Sequence, residues 1–221
     1  MLRLHKLSYV LILLGLILFL FPKAMEWNED REQRELLKAA EQPSGTNEMV
    51  WNPHLADSFT RLSTGLTEAP ISEARSSISP ASAPVANANE QTPIATISIS
   101  RINLKLPVLE GATRKNMRHA AAHMAETAAL GQVGNAAIAA HRARTPGRLF
   151  NRLNEMKLGD EIAVKAQGEQ YVYRVYSIRV VDPTDVSVLK SNNQQKLLTL
   201  ITCDPLVNPT HRLIVQAKLS T

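Results

Sequence analysis

The amino-acid sequence predicts a mostly β domain, a closed barrel of seven or eight short strands with two small helices. Short apolar or alternating runs rich in Val, Ile and Leu recur from residue 93 to the C-terminus. Gly, Pro, Asn and Asp separate these runs, as they do between the strands of a barrel. A long apolar stretch near the N-terminus, followed by a segment rich in Pro, Ser and Ala, predicts a transmembrane helix and a linker before the domain.

The apolar stretch covers residues 7–25 and is predicted to be a retained signal anchor. Two basic residues precede it and acidic residues crowd after it, so we expect residues 1–6 in the cytoplasm and the rest of the chain outside. A cleaved signal peptide is the alternative, but no clear small-x-small cleavage site follows. Residues 26–42 are predicted to be helical, and the remainder up to residue 92 is predicted to be a flexible extracytoplasmic linker.

The folded domain is predicted to begin near Pro93 and to extend to residue 221. Its strands are recognised by alternation of apolar and polar residues or by short apolar runs. The predicted strands are residues 94–100, 102–109, 135–140, 160–166, 170–181, 196–202 and 212–219. The predicted helices are residues 114–124 and 146–157, with a helical turn at 184–189. The inner face of the second helix is predicted to consist of Leu149, Phe150, Leu153 and Met156.

Charge is distributed unevenly along the chain, whose formal net charge is +5. Residues 23–92 carry 6 Lys and Arg against 11 Asp and Glu, whereas residues 93–221 carry 17 against 9. A basic domain suits nucleic acid or an anionic cell surface, but no nucleic-acid-binding motif is recognisable. A solvated basic surface is the simpler alternative.

The only cysteine of the chain, Cys203, is the first candidate for chemistry. A single cysteine excludes an internal disulfide and a metal site made of several cysteines. It ends a predicted strand, because Asp204-Pro205 follows and proline cannot donate to a sheet ladder. A free thiol has a pKa of about 8.5, so a nucleophilic cysteine needs a histidine, a cation or a helix N-terminus beside it. A small buried hydrophobe is the alternative.

Among the six histidines, His141 is the best candidate partner, because it follows a predicted strand and would face a shared cleft. His211 is expected to point to the opposite face of its strand from its neighbour Arg212. His119 and His123 are four residues apart, a spacing that can bind metal on a helix. No HExxH motif, cysteine cluster or third carboxylate ligand accompanies them, so no metal is predicted, and one of the two is expected to line the cleft or to lie in the core.

Arg212 begins the strand after Cys203 and stays protonated, so it cannot be a general base. Its predicted use is electrostatic, to stabilise an oxyanion or to hold a substrate backbone. A surface charge on an edge strand is the alternative.

These residues carry a resemblance to a known family. Thr199-Leu-Ile-Thr-Cys203 resembles the TLxTC signature of sortases, and Arg212 matches the sortase arginine. Asn135-Ala-Ala-Ile-Ala-Ala-His141-Arg142 and the segment after it are similar to the sortase histidine region, with Ala140 where many sortases have Gly. The Cys203–Arg212 loop and the N-terminal anchor are most similar to class D sortases of Gram-positive bacilli. The resemblance implies an eight-stranded barrel over about residues 93–219.

The resemblance also implies a membrane-anchored transpeptidase without cofactor or metal. Cys203 would attack the threonine carbonyl of an LPxT-type sorting signal on a secreted protein, and His141 would serve as general acid and then base. A peptidoglycan or lipid II amine would resolve the thioester, and nucleic acid would not be a partner. Arg212, Thr202 and Asp204 would hold the oxyanion and the substrate. The groove for the signal would be lined by Ala121, His123, Met124, Val186, Val188 and Leu189.

Two other functions are compatible with the sequence. A cysteine peptidase of the same geometry would hydrolyse the signal, because the residues do not distinguish a water from an amine acceptor. A non-catalytic, membrane-tethered β-barrel binding module would not need the thiol, although His141, Cys203 and Arg212 in their motifs argue against it.

Overall fold

The computed structural model describes residues 30–41, Leu62, Leu66, 92–191 and 194–220. The predicted anchor at residues 7–25 and most of the predicted linker lie outside these residues. Within the described ranges no helix is both long and apolar enough to cross a membrane.

Eight strands form a closed barrel, as the sequence predicts. Around the barrel the strands follow the order β1-β2-β3-β4-β7-β8-β6-β5, and β5 closes it by pairing with β1. The β2–β3 and β4–β7 pairs are parallel, and the other pairs are antiparallel. The strands are β1 (Ala95–Ile99), β2 (Leu104–Glu110), β3 (Ala121–His123), β4 (Gly134–Ala139), β5 (Glu161–Ala166), β6 (Glu169–Val181), β7 (Lys196–Asp204) and β8 (His211–Leu219).

Helices are few and short among the described residues. Helix α1 covers residues 30–41, within the predicted helix at 26–42. The others are α2 (Arg114–Met117) and the 3-10 helices η1 (Ser100–Ile102), η2 (Leu153–Glu155) and η3 (Val186–Leu189), of which η3 confirms the predicted helical turn.

The predicted helix at residues 114–124 is wrong beyond its first turn. The Thr113 side chain caps α2 by accepting from the Asn116 N–H at 3.1 Å. The Asn116 amide then donates to the carbonyl groups of Glu110 and Gly111, which fixes the short helix against the end of β2. The next residues form β3, because there they gain backbone partners in both β2 and β4. Small apolar residues at helical spacing therefore mark a buried strand here.

The predicted helix at residues 146–157 is also wrong, although its predicted inner face is buried. Leu149 has a φ of +46°, in the left-handed region, and a right-handed helix cannot continue through it. The segment turns instead, with a single bridge between Arg142 and Leu149, and only η2 is helical.

The wall of the barrel carries an apolar cluster on each face, since successive side chains of a strand point to opposite sides. The interior cluster contains alternate residues of every strand, for example Ile97, Ile138, Leu200 and Val215. A second cluster, here called the outer cluster, covers the outside of β4, β7 and β8. It consists of Leu62, Leu66, Met117, Ala122, Met124, Ala137, Ala139, Val188, Leu189, Ile201, Cys203 and Ile214.

Candidate active site

Three adjacent strands bring His141, Cys203 and Arg212 together at one end of the barrel. Cys203 pairs directly with Arg212 in the antiparallel β7–β8 ladder. Strand β4 runs parallel to β7 with Ala139 opposite Ile201, and continuing this register by two residues sets His141 beside Cys203. Neighbouring strands lie about 4.8 Å apart, so the three residues form a row across the sheet. Alternation puts all three side chains on the face of the outer cluster.

Arg212 is buried, with 1% of its surface exposed. Its Nη1 donates to the His211 carbonyl at 2.9 Å. Strand β8 lies between β6 and β7, so it is not an edge strand. The alternative of a surface charge is therefore excluded. His211, which was expected on the opposite face of the strand, is exposed.

Burial shifts the pKa values of the two candidate catalytic groups in the directions that favour their neutral forms. Burial raises the pKa of the Cys203 thiol, while the positive charges of Arg212 and Arg142 act in the opposite direction. Burial also lowers the pKa of the His141 imidazole, and a hydrogen bond to the Leu66 backbone partly opposes this. The neutral thiol and imidazole therefore predominate near pH 7, and the thiolate–imidazolium pair is a minor form.

The backbone of Leu66 contacts both candidate catalytic groups. The Cys203 thiol donates to the Leu66 carbonyl oxygen at 3.3 Å, and the His141 imidazole is hydrogen-bonded to the same residue's backbone. Cys203 is only 5% exposed. Leu66, which precedes the barrel in sequence, thus contacts the thiol directly.

An ion pair joins the two residues that directly follow the candidate catalytic groups. The Arg142 Nη1 lies 2.5 Å from the Asp204 Oδ1, and the side chains are 9% and 28% exposed. Because Arg142 follows His141 and Asp204 follows Cys203, this pair ties the end of β7 to the segment after β4. Sequence analysis missed the role of Arg142.

Two residues predicted to hold the oxyanion or the substrate have other partners. Thr202 faces the barrel interior, where its hydroxyl donates to the Ala140 carbonyl at 2.8 Å. Its side chain therefore fastens β7 to the segment that carries His141. The Asp204 carboxylate is engaged by Arg142 through its Oδ1.

The predicted groove residues divide into two sets. Met124, Val188 and Leu189 belong to the outer cluster, and Val186 packs against it. Ala121 belongs to the interior cluster instead, because β3 alternates and it is Ala122 that faces outward. Ala121 therefore lies on the opposite side of the sheet from the other predicted groove residues of the outer cluster.

His123 is fully buried and belongs to the core, which was one of its two predicted places. Its Nδ1 lies 3.0 Å from the Glu110 carboxylate, and its Nε2 lies 3.0 Å from the Ala128 carbonyl oxygen. Both ring nitrogens have partners within the β2–β4 region, so His123 fixes the turn after β3 and does not line the groove. His119 pairs with Glu32 of α1 at 2.7 Å. In the part of the chain that the structure describes, no group of three or more His, Cys, Asp or Glu side chains could hold a metal ion.

Buried polar side chains hold η3, which carries three of the predicted groove residues. The Val188 carbonyl accepts from the Asn135 amide at 3.0 Å and from the Gln216 amide at 3.0 Å. The Thr199 hydroxyl donates to the Asn135 Oδ1 at 2.8 Å. Sequence analysis quoted Asn135 and Thr199 only as parts of motifs. The sequence signal for their role was that each is a polar residue within an otherwise apolar predicted strand.

This chain is similar to known proteins of one family. The family model described as the Sortase domain matches residues 97–220. Sortase A of Bacillus anthracis is 34% identical over 139 residues, which are 62% of this chain and 65% of that protein. Sortase D of Bacillus subtilis is 24% identical over 128 residues, 57% of this chain and 63% of that protein. The match thus spans less than two thirds of the length of these relatives.

Solved structures give the same result. A Clostridium perfringens Sortase D5 transpeptidase is 31% identical with a TM-score of 0.55, covering 60% of this chain and 81% of that chain. Sortase C1 of Streptococcus agalactiae is 32% identical with a TM-score of 0.56, covering 58% of this chain and 68% of that chain. The family model covers more than half of the chain, including the strands that carry His141, Cys203 and Arg212. The chain belongs to the sortase family.

Proposed function

We propose that this protein is a membrane-anchored cysteine transpeptidase that cleaves an LPxT-type sorting signal after threonine and transfers the secreted protein to a peptidoglycan or lipid II amine. The observation that carries the proposal is the row of His141, just beyond the end of β4, Cys203 on β7 and Arg212 on β8, next to an apolar cluster. The names of its relatives support the reaction class, since one similar structure is called a transpeptidase.

In the first step, Cys203 acts as a thiolate and His141 as an imidazolium. The sulfur forms a bond to the threonine carbonyl carbon, and the peptide C–N bond breaks as His141 gives its proton to the departing amine. The product is a thioester. In the second step an incoming amine attacks the thioester carbonyl, His141 accepts the amine proton, and the C–S bond breaks to return the thiolate.

Arg212 serves the charged intermediates of both steps. A tetrahedral oxyanion forms each time the carbonyl is attacked, and a buried cation stabilises it more than a solvated one does. The side chain is 1% exposed and lies opposite Cys203 in the ladder. The Leu-Pro part of the signal is assigned to the outer cluster, where Met124, Val188 and Leu189 provide apolar surface.

The test is an assay of the full chain with an LPxT-containing peptide, with and without an amine nucleophile. Cys203→Ala and His141→Ala are expected to abolish turnover and to leave the circular dichroism spectrum unchanged. His211→Ala is the matched control, because this histidine is exposed on the other face of the sheet, and it is expected to keep near-normal turnover. An exclusively hydrolytic product would exclude transfer, and near-normal turnover by Cys203→Ala would exclude thiol catalysis altogether.

The proposed location rests on residues 7–25 as a single-pass anchor with the N-terminus in the cytoplasm. The intact chain is expected in the membrane fraction of cells. Leu13→Arg combined with Leu14→Arg would place two charges in the apolar stretch, and it is expected to move the protein out of that fraction. Equal membrane content of both forms would contradict an anchor at this position.

A further inference from the structure

Arg142 and Asp204 lie next to the two candidate catalytic groups and bind each other. Arg142 directly follows His141, and Asp204 directly follows Cys203. The Arg142 Nη1 donates to the Asp204 Oδ1 at 2.5 Å, and the two side chains are only 9% and 28% exposed. The proposed function gives neither side chain a step. An ion pair this close to both reactive groups is placed to affect how they meet.

The backbone ladder between β4 and β7 ends before it reaches the reactive groups. Its register ends with Ala139 opposite Ile201, and the Ala140 N–H adds one further bond to the Ile201 carbonyl at 3.1 Å. The His141 carbonyl accepts from the Phe150 N–H at 3.0 Å, so this carbonyl bonds to the segment before η2 rather than to β7. The spacing between the imidazole and the thiol therefore depends on contacts other than the ladder.

The ion pair approaches β7 from the face opposite to the thiol. Side chains alternate along a strand, so Thr202 and Asp204 share the inner face of β7 while Cys203 lies on the outer one. The Thr202 hydroxyl fastens β7 to the Ala140 carbonyl. Asp204, the last residue of β7, is fastened to Arg142 in a similar way. These two contacts support the reactive row from behind and leave its outer face to the substrate.

Further contacts fix the guanidinium of Arg142. Its Nε donates to the Asn151 carbonyl at 3.4 Å, and the Asn151 amide donates in turn to the Ala143 carbonyl. The backbone of Arg142 also forms a bridge with Leu149. The donors of a guanidinium form a rigid planar fork, so a group held through two of its nitrogens has one orientation. The position of the Asp204 carboxylate is therefore tied to that of the segment that carries His141.

The same pair contributes to the charge around the thiol, which also has His141 beside it. Burial raises the pKa of the Cys203 thiol, and the positive charges of Arg212 and Arg142 lower it. The negative charge of Asp204 raises it. A cation favours the thiolate and an anion disfavours it, so removal of the Arg142 charge must raise this pKa and removal of the Asp204 charge must lower it.

We infer that Arg142 and Asp204 are positioning residues, whose ion pair holds the His141 imidazole at its working distance from the Cys203 thiol. The inference deepens the proposed function and rests on it for the reaction that is measured. Neither side chain is a catalytic residue, since each acts through the group that precedes it in the chain.

The first test is steady-state turnover of an LPxT-containing peptide by the full chain. Arg142→Gln and Asp204→Asn are each expected to lower kcat at least about tenfold with KM nearly unchanged, because a misplacement of about 1 Å can cost about 10²-fold in rate. The double variant is expected to lose no more kcat than the slower single variant, because both substitutions remove one shared contact. Arg142→Lys keeps the charge without the planar fork and is expected to recover part of the loss.

A matched control removes a different ion pair of the barrel. Arg174 and Glu161 lie 3.0 Å apart and are 63% and 58% exposed. Arg174 pairs with Lys218, at the end of β8 opposite to Arg212. Arg174→Gln combined with Glu161→Gln is therefore expected to keep the kcat and the KM of the parent.

The second test is the pH profile for alkylation of Cys203 by iodoacetamide, which mass spectrometry reads without ambiguity because the chain has one cysteine. Arg142→Gln is expected to move the midpoint to higher pH, and Asp204→Asn is expected to move it to lower pH. Asp204→Asn thus favours the thiolate and is nevertheless expected to lower kcat. A lower midpoint together with a lower kcat supports a positioning role, since a gain in thiolate alone would not slow the reaction.

Other kinetic results would overturn the inference. A folded Asp204→Asn protein with the kcat of the parent would do so, and a higher KM with unchanged kcat would make Asp204 a substrate ligand instead. A loss of kcat in the double variant equal to the product of the two single losses would show that the side chains act independently. If circular dichroism shows that these variants do not fold, Arg142→Lys decides: a lower kcat supports the inference, and the kcat of the parent overturns it.

The two tests also distinguish the inference from the proposed function. A parent chain that turns over no LPxT peptide, with or without an amine, would overturn the proposed function. The alkylation profiles do not depend on that reaction. Midpoints that move in opposite directions in Arg142→Gln and Asp204→Asn would still support a pair that acts on the thiol, whereas unchanged midpoints in both would overturn it.

Discussion

At the scale of single residues, burial decides the properties of the site. Cys203 lies at the end of an apolar strand. Burial raises the pKa of its thiol, which disfavours the thiolate. The positive charges of Arg212 and Arg142 oppose this effect. Arg212 is thus placed to stabilise negative charge on the sulfur.

This balance predicts a pH effect for substitutions at Arg212. A neighbouring cation favours the charged thiolate and lowers the thiol pKa, so its removal must raise that pKa. In Arg212→Gln the midpoint of the pH profile for alkylation of Cys203 is expected to move to higher pH. Arg212→Lys keeps the charge and is expected to move it less.

Iodoacetamide alkylation measured from pH 6 to pH 10.5 checks this prediction, because the midpoint reports the pKa independently of the absolute rate. Arg174→Gln is a suitable control, since the Arg174 side chain is 63% exposed and pairs with Glu161. A midpoint in Arg212→Gln at or below that of the parent would contradict the assigned role.

At the scale of elements, the position of η3 depends on buried polar side chains from three strands. Asn135 of β4 and Gln216 of β8 donate to the Val188 carbonyl, and Thr199 of β7 orients the Asn135 amide. The amide of Asn135 also reaches the Lys190 carbonyl at 3.3 Å. Polar groups in this setting are costly when unpaired, so the network specifies one position for η3.

Thr199→Val tests this network, because valine has nearly the same shape and lacks the hydroxyl. The buried Asn135 Oδ1 then loses its donor, which is expected to lower the free energy of unfolding by about 1–3 kcal/mol. The loosened wall is expected to raise KM for the signal peptide more than it lowers kcat. Urea unfolding and steady-state kinetics measure the two effects.

Thr184→Val is the matched control, because Thr184 is exposed in the loop that leads to η3. It is expected to change both quantities little. Equal effects of the two substitutions on KM would show that the hydroxyl of Thr199 does not position the wall.

At the scale of the whole molecule, the two faces of the barrel wall carry separate apolar clusters. The interior cluster holds the barrel closed, and the outer cluster on β4, β7 and β8 contains Cys203. Ile97 is fully buried in the interior and pairs with Leu106 on one side and Val164 on the other, at the seam where β1 meets β5.

A pair of alanine substitutions is expected to separate the two clusters. Ile97→Ala should lower the free energy of unfolding by about 2–5 kcal/mol through lost burial and a cavity, with KM unchanged. Leu189→Ala, in the outer cluster, should raise KM for the signal peptide. Urea unfolding and kinetics on both variants check this, and a KM effect of Ile97→Ala as large as that of Leu189→Ala would contradict the separation.

Local sequence was sufficient to predict most strands and the three residues of the row. Side chains alternate between the faces of a strand, and the break at Asp204-Pro205 ends β7; both are properties of neighbouring residues. The strands β7 and β8 and the face to which His211 points could therefore be predicted from them. The TLxTC-like run and the histidine region identified His141, Cys203 and Arg212, but they did not give the distances between these residues. Belonging to the sortase family followed from the same runs.

Long-range pairing decided the rest. Ala121–His123 became a strand because β2 and β4 offered backbone partners, which no local period could indicate. The burial of Arg212 depends on β6 and β7 lying on both sides of β8, and the parallel β4–β7 pair sets His141 beside Cys203. The contact of Leu66 with the thiol joins residues 137 positions apart. Local sequence therefore determined the elements and the reactive groups, whereas the tertiary structure decided which faces meet and what covers them, because those contacts form between segments distant in the chain.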